Sequence, residues 1–150
     1  MENLQKKIQI LFNLYKLKKL SEAEMLNREL LSAHPKEAFL YNALGLILTD
    51  QKKIDEAIKY YEQGITIKPD YGMIYNNLGT IYKSKKNYNK AENYYKKSIN
   101  LDSKISEPRN NLGNLYLTLG KYKDAIICYK NAININPKFF VSHYNLGTTY

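Results

Sequence analysis

The sequence predicts an all-α fold, a solenoid of stacked helical hairpins, and three observations carry that prediction. Small residues recur at one interval: Gly45, Gly79, Gly113 and Gly147 are each 34 residues apart, as are Ala23, Ala57, Ala91 and Ala125. Aromatic residues keep the same interval, at Tyr61, Tyr95 and Tyr129 and again at Tyr82, Tyr116 and Tyr150. Within each unit two apolar stripes run at three-to-four spacing, the period of an amphipathic helix, with a short polar turn between them. A fixed period of this length marks a chain whose units cannot bury their apolar faces alone and must stack.

The frame divides the chain into units 4–37, 38–71, 72–105 and 106–139, followed by 140–150 as the first helix of a fifth. In the second unit Tyr41, Leu44 and Leu48 mark one helix. Ala57, Ile58, Tyr61 and Ile65 mark the next, and "DQKK" at 50–53 is the turn. Ser21, Asp55 and Asn89 stand where second helices are expected to start, with Glu24 and Glu92 three residues on from Ser21 and Asn89. That spacing predicts capping boxes. Pro35, Pro69 and Pro137 are expected to end second helices, with Ser103 in the remaining slot. Gly120 alone holds the first-to-second-helix turn position that Lys18, Lys52 and Lys86 take elsewhere. A left-handed conformation there would cost each lysine about 1–2 kcal/mol. The first unit diverges: Ile10-Leu11 stands in place of Leu-Gly and Asn27 in place of the tyrosine.

The pattern Tyr-x-x-Leu-Gly-x-x-(Leu/Tyr), then Ala, Tyr and Pro, repeated every 34 residues, resembles the tetratricopeptide repeat over essentially the whole chain. The resemblance implies a right-handed superhelical solenoid. First helices would line its concave side and second helices its convex side. It implies a protein-interaction module that binds a protein or an extended peptide in the concave groove. It also resembles arrays that precede glycosyltransferase or sulfotransferase domains, so a substrate-recruiting part of a longer transferase is the alternative. The fifth unit stops after its first helix at Tyr150. The expectation is that the chain is a fragment of a longer array or self-associates through that end.

By the family's groove geometry, the concave wall would present Phe39 and Met73, then Asn76 and Asn110, Asn77, Asn111 and Asn145, and Asn114. Asparagine in a helix interior costs up to about 0.7 kcal/mol relative to alanine. The pairs Asn76-Asn77 and Asn110-Asn111 therefore oppose the helix unless they are used. A primary amide can donate to a peptide carbonyl while accepting from a peptide N–H. Helices about 8–10 Å apart would touch a strand rising about 3.3 Å per residue at every third residue. Asn77, Asn111 and Asn145 resemble the asparagine ladder of the O-linked N-acetylglucosamine transferase repeat domain, which implies that they grip a peptide backbone. The places that a carboxylate clamp would fill hold Ile8, Asn42, Asn76 and Asn110, which argues against that mode.

Composition narrows the remaining classes. The formal net charge is +9, but lysine, asparagine, isoleucine and tyrosine are all abundant, as in AT-rich coding sequence. The lysines therefore read as a solvated outer face, and nucleic acid is a less favoured partner. No apolar run reaches the roughly 18 residues of a membrane span. The single Cys128 can form no internal disulfide, and with two histidines a structural zinc site is not expected. The expectation is a cytoplasmic chain with no cofactor, no metal and no catalytic residues, since no phosphate loop, HExxH or paired-carboxylate motif occurs.

Overall fold

A computed structural model describes residues 4–149 of the chain. The described residues form nine α-helices and no strand: α1 Leu4–Lys16, α2 Leu20–Ala33, α3 Ala38–Asp50, α4 Ile54–Ile67, α5 Gly72–Ser84, α6 Tyr88–Leu101, α7 Glu107–Thr118, α8 Tyr122–Ile135 and α9 Phe140–Thr149. They fall into two compact units, the first reaching to Asp70 and the second starting at Tyr71.

In the first unit each helix packs on the next, α1 on α2, α2 on α3 and α3 on α4. Its core gathers Leu11, Ala23, Leu30, Leu40, Ala43 and Ile47, with Phe39 and Tyr15 packed against it from the side. In the second unit successive helices also pair from α5 to α9, and the first helices α5, α7 and α9 touch one another in turn. Ala91, Tyr95, Leu112 and Leu115 are buried at its centre, flanked by Tyr82, Tyr88, Tyr116 and Cys128.

The glycine series has a specific partner. A Cβ placed on Gly79 would lie 2.7 Å from the Tyr95 ring, and one on Gly113 would lie 2.6 Å from the Tyr129 ring. Gly45 stands against Tyr61 in the same way. These distances are too short for any side chain, so each glycine is the floor on which a tyrosine of the second helix lies. Burial pushes the Tyr61, Tyr95 and Tyr129 phenols above their ordinary range and keeps them neutral donors. The Tyr95 hydroxyl donates to Thr80 Oγ1 at 3.2 Å, and the Tyr129 hydroxyl donates to Asn114 Oδ1 at 2.7 Å. In the divergent first repeat the bulk changes sides, with Leu11 at the glycine register and Asn27 at the tyrosine register, both buried. The Asn27 amide has no hydrogen-bond partner among the described residues, a desolvation cost of about 1–3 kcal/mol.

The helix starts differ from expectation. Ser21, Asp55 and Asn89 lie inside the first turns, and the N-caps are Lys19, Lys53, Asn87 and Lys121. Of these, Asn87 makes a side-chain cap, accepting from the Lys90 N–H at 3.2 Å. The reason is the turn: Lys18, Lys52 and Lys86 are left-handed, at φ 58°, 67° and 59°, as is Gly120 at 70°. That conformation reverses the chain at once and brings the next helix in two residues early. Glu24 and Glu92, freed from capping, make ion pairs instead, Glu24 with Arg28 and Lys53 and Glu92 with Lys96. The prolines act as expected, for α2, α4 and α8 each stop two residues before one. α6 stops at Leu101 without a proline, and the Asp102 carboxylate accepts from the Lys104 N–H at 2.9 Å.

Two stability measurements check this account. Gly79→Ala must displace the Tyr95 ring and should cost about 1–3 kcal/mol. Gly147→Ala, at the same register with nothing within 4 Å of a new Cβ, should gain about 0.5–1 kcal/mol from helix propensity. Urea midpoints that move equally for the two variants would contradict the ring-on-glycine contact. Lys52→Gly relieves a left-handed lysine and should stabilise by about 0.5–1 kcal/mol. A lowered melting temperature for that variant would show that the turn is not strained.

Candidate functional site

The asparagines expected to line a groove lie on the first helices, and the structure divides them by burial. Asn76 and Asn110 are buried, at 1% and 4% exposure, while Asn77, Asn111, Asn114 and Asn145 are half-buried. The expectation that Asn76 and Asn110 are presented on a concave wall is therefore corrected, since both are buried. Their register points them at the next first helix rather than outward, and they hydrogen-bond there.

In the second unit these bonds form a relay. Asn111 Nδ2 donates to Asn76 Oδ1 at 2.9 Å, and Asn76 Nδ2 donates to Glu107 Oε1 at 3.2 Å, so α5 and α7 are tied twice. One repeat on, Asn145 Nδ2 donates to Asn110 Oδ1 at 3.0 Å and to Asn114 Oδ1 at 3.0 Å, which ties α7 to α9. Ser142 Oγ also donates to Asn110 Oδ1, at 3.0 Å. The second amide of one repeat thus reaches back to the first amide of the repeat before it, a separation of 35 residues. The Asn-Asn pair recurs because one member is an acceptor for the following repeat and the other a donor to the preceding one. Each bond contributes about 0.5–1.5 kcal/mol, enough to offset the helix propensity lost.

What remains for a ligand follows by subtraction. Asn111 spends one N–H on Asn76, and its second N–H and its Oδ1 have no partner among the described residues. Asn145 spends both N–H groups and keeps Oδ1, while Asn114 spends Oδ1 twice and keeps its N–H groups. Asn77 is also half-buried on a first helix. Met73 is half-buried on α5, and Phe39 is half-buried against the core of the first unit. The relay was missed in the sequence, although a signal was present: the asparagine pairs are 34 residues apart and adjacent, which permits an i to i+35 link.

Other chemistry is sparse. Among the described residues no three His, Cys, Asp or Glu side chains gather as a metal site. Burial pushes the Cys128 thiol up to about 11, and its side chain packs against the core of the second unit. No helix of the described residues is long and apolar enough to cross a membrane.

A stack of helical hairpins joined by side-chain amides is the arrangement of a repeat scaffold. Tetratricopeptide repeat models match residues 38–71 and 73–104, a further tetratricopeptide repeat model matches 94–127, and a TPR repeat model matches 113–150. The chain belongs to the tetratricopeptide repeat family, and its all-α helical-repeat fold is the one that the sequence predicted. No curated protein matches the sequence. Among solved structures, a thermophilic TPR protein of Thermus thermophilus is 19% identical with a TM-score of 0.87, over 99% of this chain and 81% of that one. MamA is 20% identical with a TM-score of 0.75, over 94% of this chain and 82% of that one. YrrB, described as a TPR protein with an unusual peptide-binding site, is 20% identical with a TM-score of 0.67, over 96% of this chain and 74% of that one. At these identities the likeness speaks for the fold.

The relay predicts energetic coupling between repeats. Asn110→Ala should cost about 1–3 kcal/mol, because it strands the donors of Ser142 and Asn145. A double-mutant cycle of Asn110→Ala with Asn145→Ala should give a coupling of about 0.5–1.5 kcal/mol in denaturant unfolding. Strict additivity would remove the bond from the account.

Proposed function

We propose that the chain is a non-catalytic protein-interaction module that holds an extended segment of a partner protein along the asparagine face of its second unit. The observation that carries this reading is the state of Asn111. Its amide is fixed in orientation by the bond to Asn76, yet keeps one donor and one acceptor, the pair that a peptide group satisfies. Asn145 adds an acceptor and Asn114 a donor on the same face. Because the amides are already held, little side-chain entropy is lost on binding. The gripping set narrows to Asn111, Asn145 and Asn114, since Asn76 and Asn110 are buried within the fold. YrrB, a family member of known fold with a peptide-binding site of its own, is consistent with a peptide as ligand.

Backbone contacts of this kind read little side-chain identity. Three amide contacts at about 0.5–1.5 kcal/mol each support weak, sequence-tolerant binding, with Kd in the micromolar range or looser. Titrating a mixed peptide library against the wild-type chain and an Asn111→Ala/Asn114→Ala/Asn145→Ala variant tests it, with circular dichroism to confirm that the variant is folded. The variant should bind at least about tenfold more weakly. Equal affinity for a folded variant would end the reading.

A further inference from the structure

The two units differ sharply in charge. Residues 1–70 carry 11 lysines and arginines against 10 acids, a net 11 − 10 = +1, whereas residues 71–150 carry 12 against 4, a net 12 − 4 = +8. Nearly all of the excess charge therefore sits on the second unit.

The difference is sharpest at the turns joining first to second helices. In the first unit three of the four turn lysines are neutralised, Lys52 being the exception among the described residues. Lys18 pairs with Asp50 at 2.8 Å, Lys19 with Glu22 at 3.2 Å and Lys53 with Glu24 at 2.9 Å. One repeat further on, the register of Asp50 holds Ser84, and two further on it holds Thr118. The register of Glu22 holds Glu56 in the second repeat and Lys90 in the third. Lys83, Lys86, Lys90 and Lys123 make no ion pair among the described residues, and Lys121 has Glu92 nearby, a carboxylate already paired with Lys96. Because α5 and α7 run side by side in the same direction, their closing turns lie along one edge of the unit. Lys86 holds its left-handed conformation there although Gly120 shows that glycine serves the turn. Lys83 is half-buried, and burial lowers the pKa of its ammonium, which an anion would restore.

We propose that this turn edge of the second unit, carried by Lys83, Lys86, Lys90, Lys121 and Lys123, is a docking surface for an acidic protein segment. Charge complementarity selects an anionic partner, and two features favour carboxylates over nucleic acid. The cations are lysines, point charges without the planar fork that grips phosphate in two places. Two of the nearby rings are also occupied: Tyr82 stacks on Tyr94 at 5.4 Å with Lys90 lying 4.7 Å from its centroid, and Lys121 lies 5.6 Å from that of Tyr116, which leaves Tyr122 as an exposed ring between Lys121 and Lys123. A single strand would find few bare faces on which to stack its bases. This surface is separate from the asparagine face and does not rest on it.

The test is fluorescence anisotropy with the full chain and a labelled peptide alternating glutamate and glycine, beside its glutamine counterpart and an oligouridylate of equal charge. The glutamate peptide should bind at about 50 mM salt and lose about tenfold or more by about 300 mM. A Lys86→Gly/Lys121→Gln/Lys123→Gln variant should bind at least about tenfold more weakly. Lys86→Gly alone should bind less while melting higher, which separates lost charge from lost folding. Lys52→Gly, at the same register of the first unit, should leave binding unchanged. The asparagine triple variant should also retain it, so that failure here and failure of the groove reading are distinguishable. No binding at low salt, equal binding of the glutamine peptide, tighter binding of the oligouridylate or an unchanged lysine variant would each overturn the assignment.

Discussion

The contact on which the rest depends is a tyrosine ring lying on a glycine. Tyr61, Tyr95 and Tyr129 each occupy the space that a Cβ on Gly45, Gly79 or Gly113 would need. This sets how closely the two helices of a hairpin approach and fixes their register at one point. Ala57, Ala91 and Ala125, all fully buried, keep the same approach open one turn away. The tyrosine is more than filler, because its hydroxyl end reaches Thr80 or Asn114 on the first-helix face. The packing inside a hairpin and the polar surface on its first helix are thereby one structure.

That connection explains why the asparagines recur. Within the second unit, the amides of successive first helices are wired to each other, and Asn114 joins the wire to the Tyr129 hydroxyl. A buried amide with every bond made specifies a single register, whereas one with bonds missing is costly. The first repeat shows the opposite case. Leu11 and Asn27 reverse the glycine–tyrosine arrangement, and the Asn27 amide is buried without a partner among the described residues. Its volume is accommodated, but its polarity is not.

The same relay limits what the face offers a ligand. An asparagine buried against the next repeat is out of a peptide's reach, so the column divides into structural and available members. Asn111 belongs to both, since it is anchored by one N–H and open at the other and at its carbonyl oxygen. The lysines divide by a comparable rule. Lys18, Lys19 and Lys53 have carboxylates beside them and are paired, whereas Lys86, with Thr118 at the register of Asp50, makes no ion pair among the described residues. One 34-residue phrase thus carries different surfaces because a few of its positions are unconstrained by packing.

The sequence by itself determined the helical hairpins, their frame, and the positions of the glycines, alanines and tyrosines. These follow from local periodicity and from the need for small residues where helices touch. It also located the turn position of Lys18, Lys52, Lys86 and Gly120, whose left-handed conformation the structure supplies. It misplaced the helix starts, since Ser21, Asp55 and Asn89 look like caps until the turn before them is known to be left-handed. It left the asparagines divided between ladder and filler. Only the tertiary structure decided that Asn76 and Asn110 are buried links, because an amide's partner 35 residues away depends on how neighbouring helices are set beside each other. That setting is fixed by packing, and no local pattern encodes it.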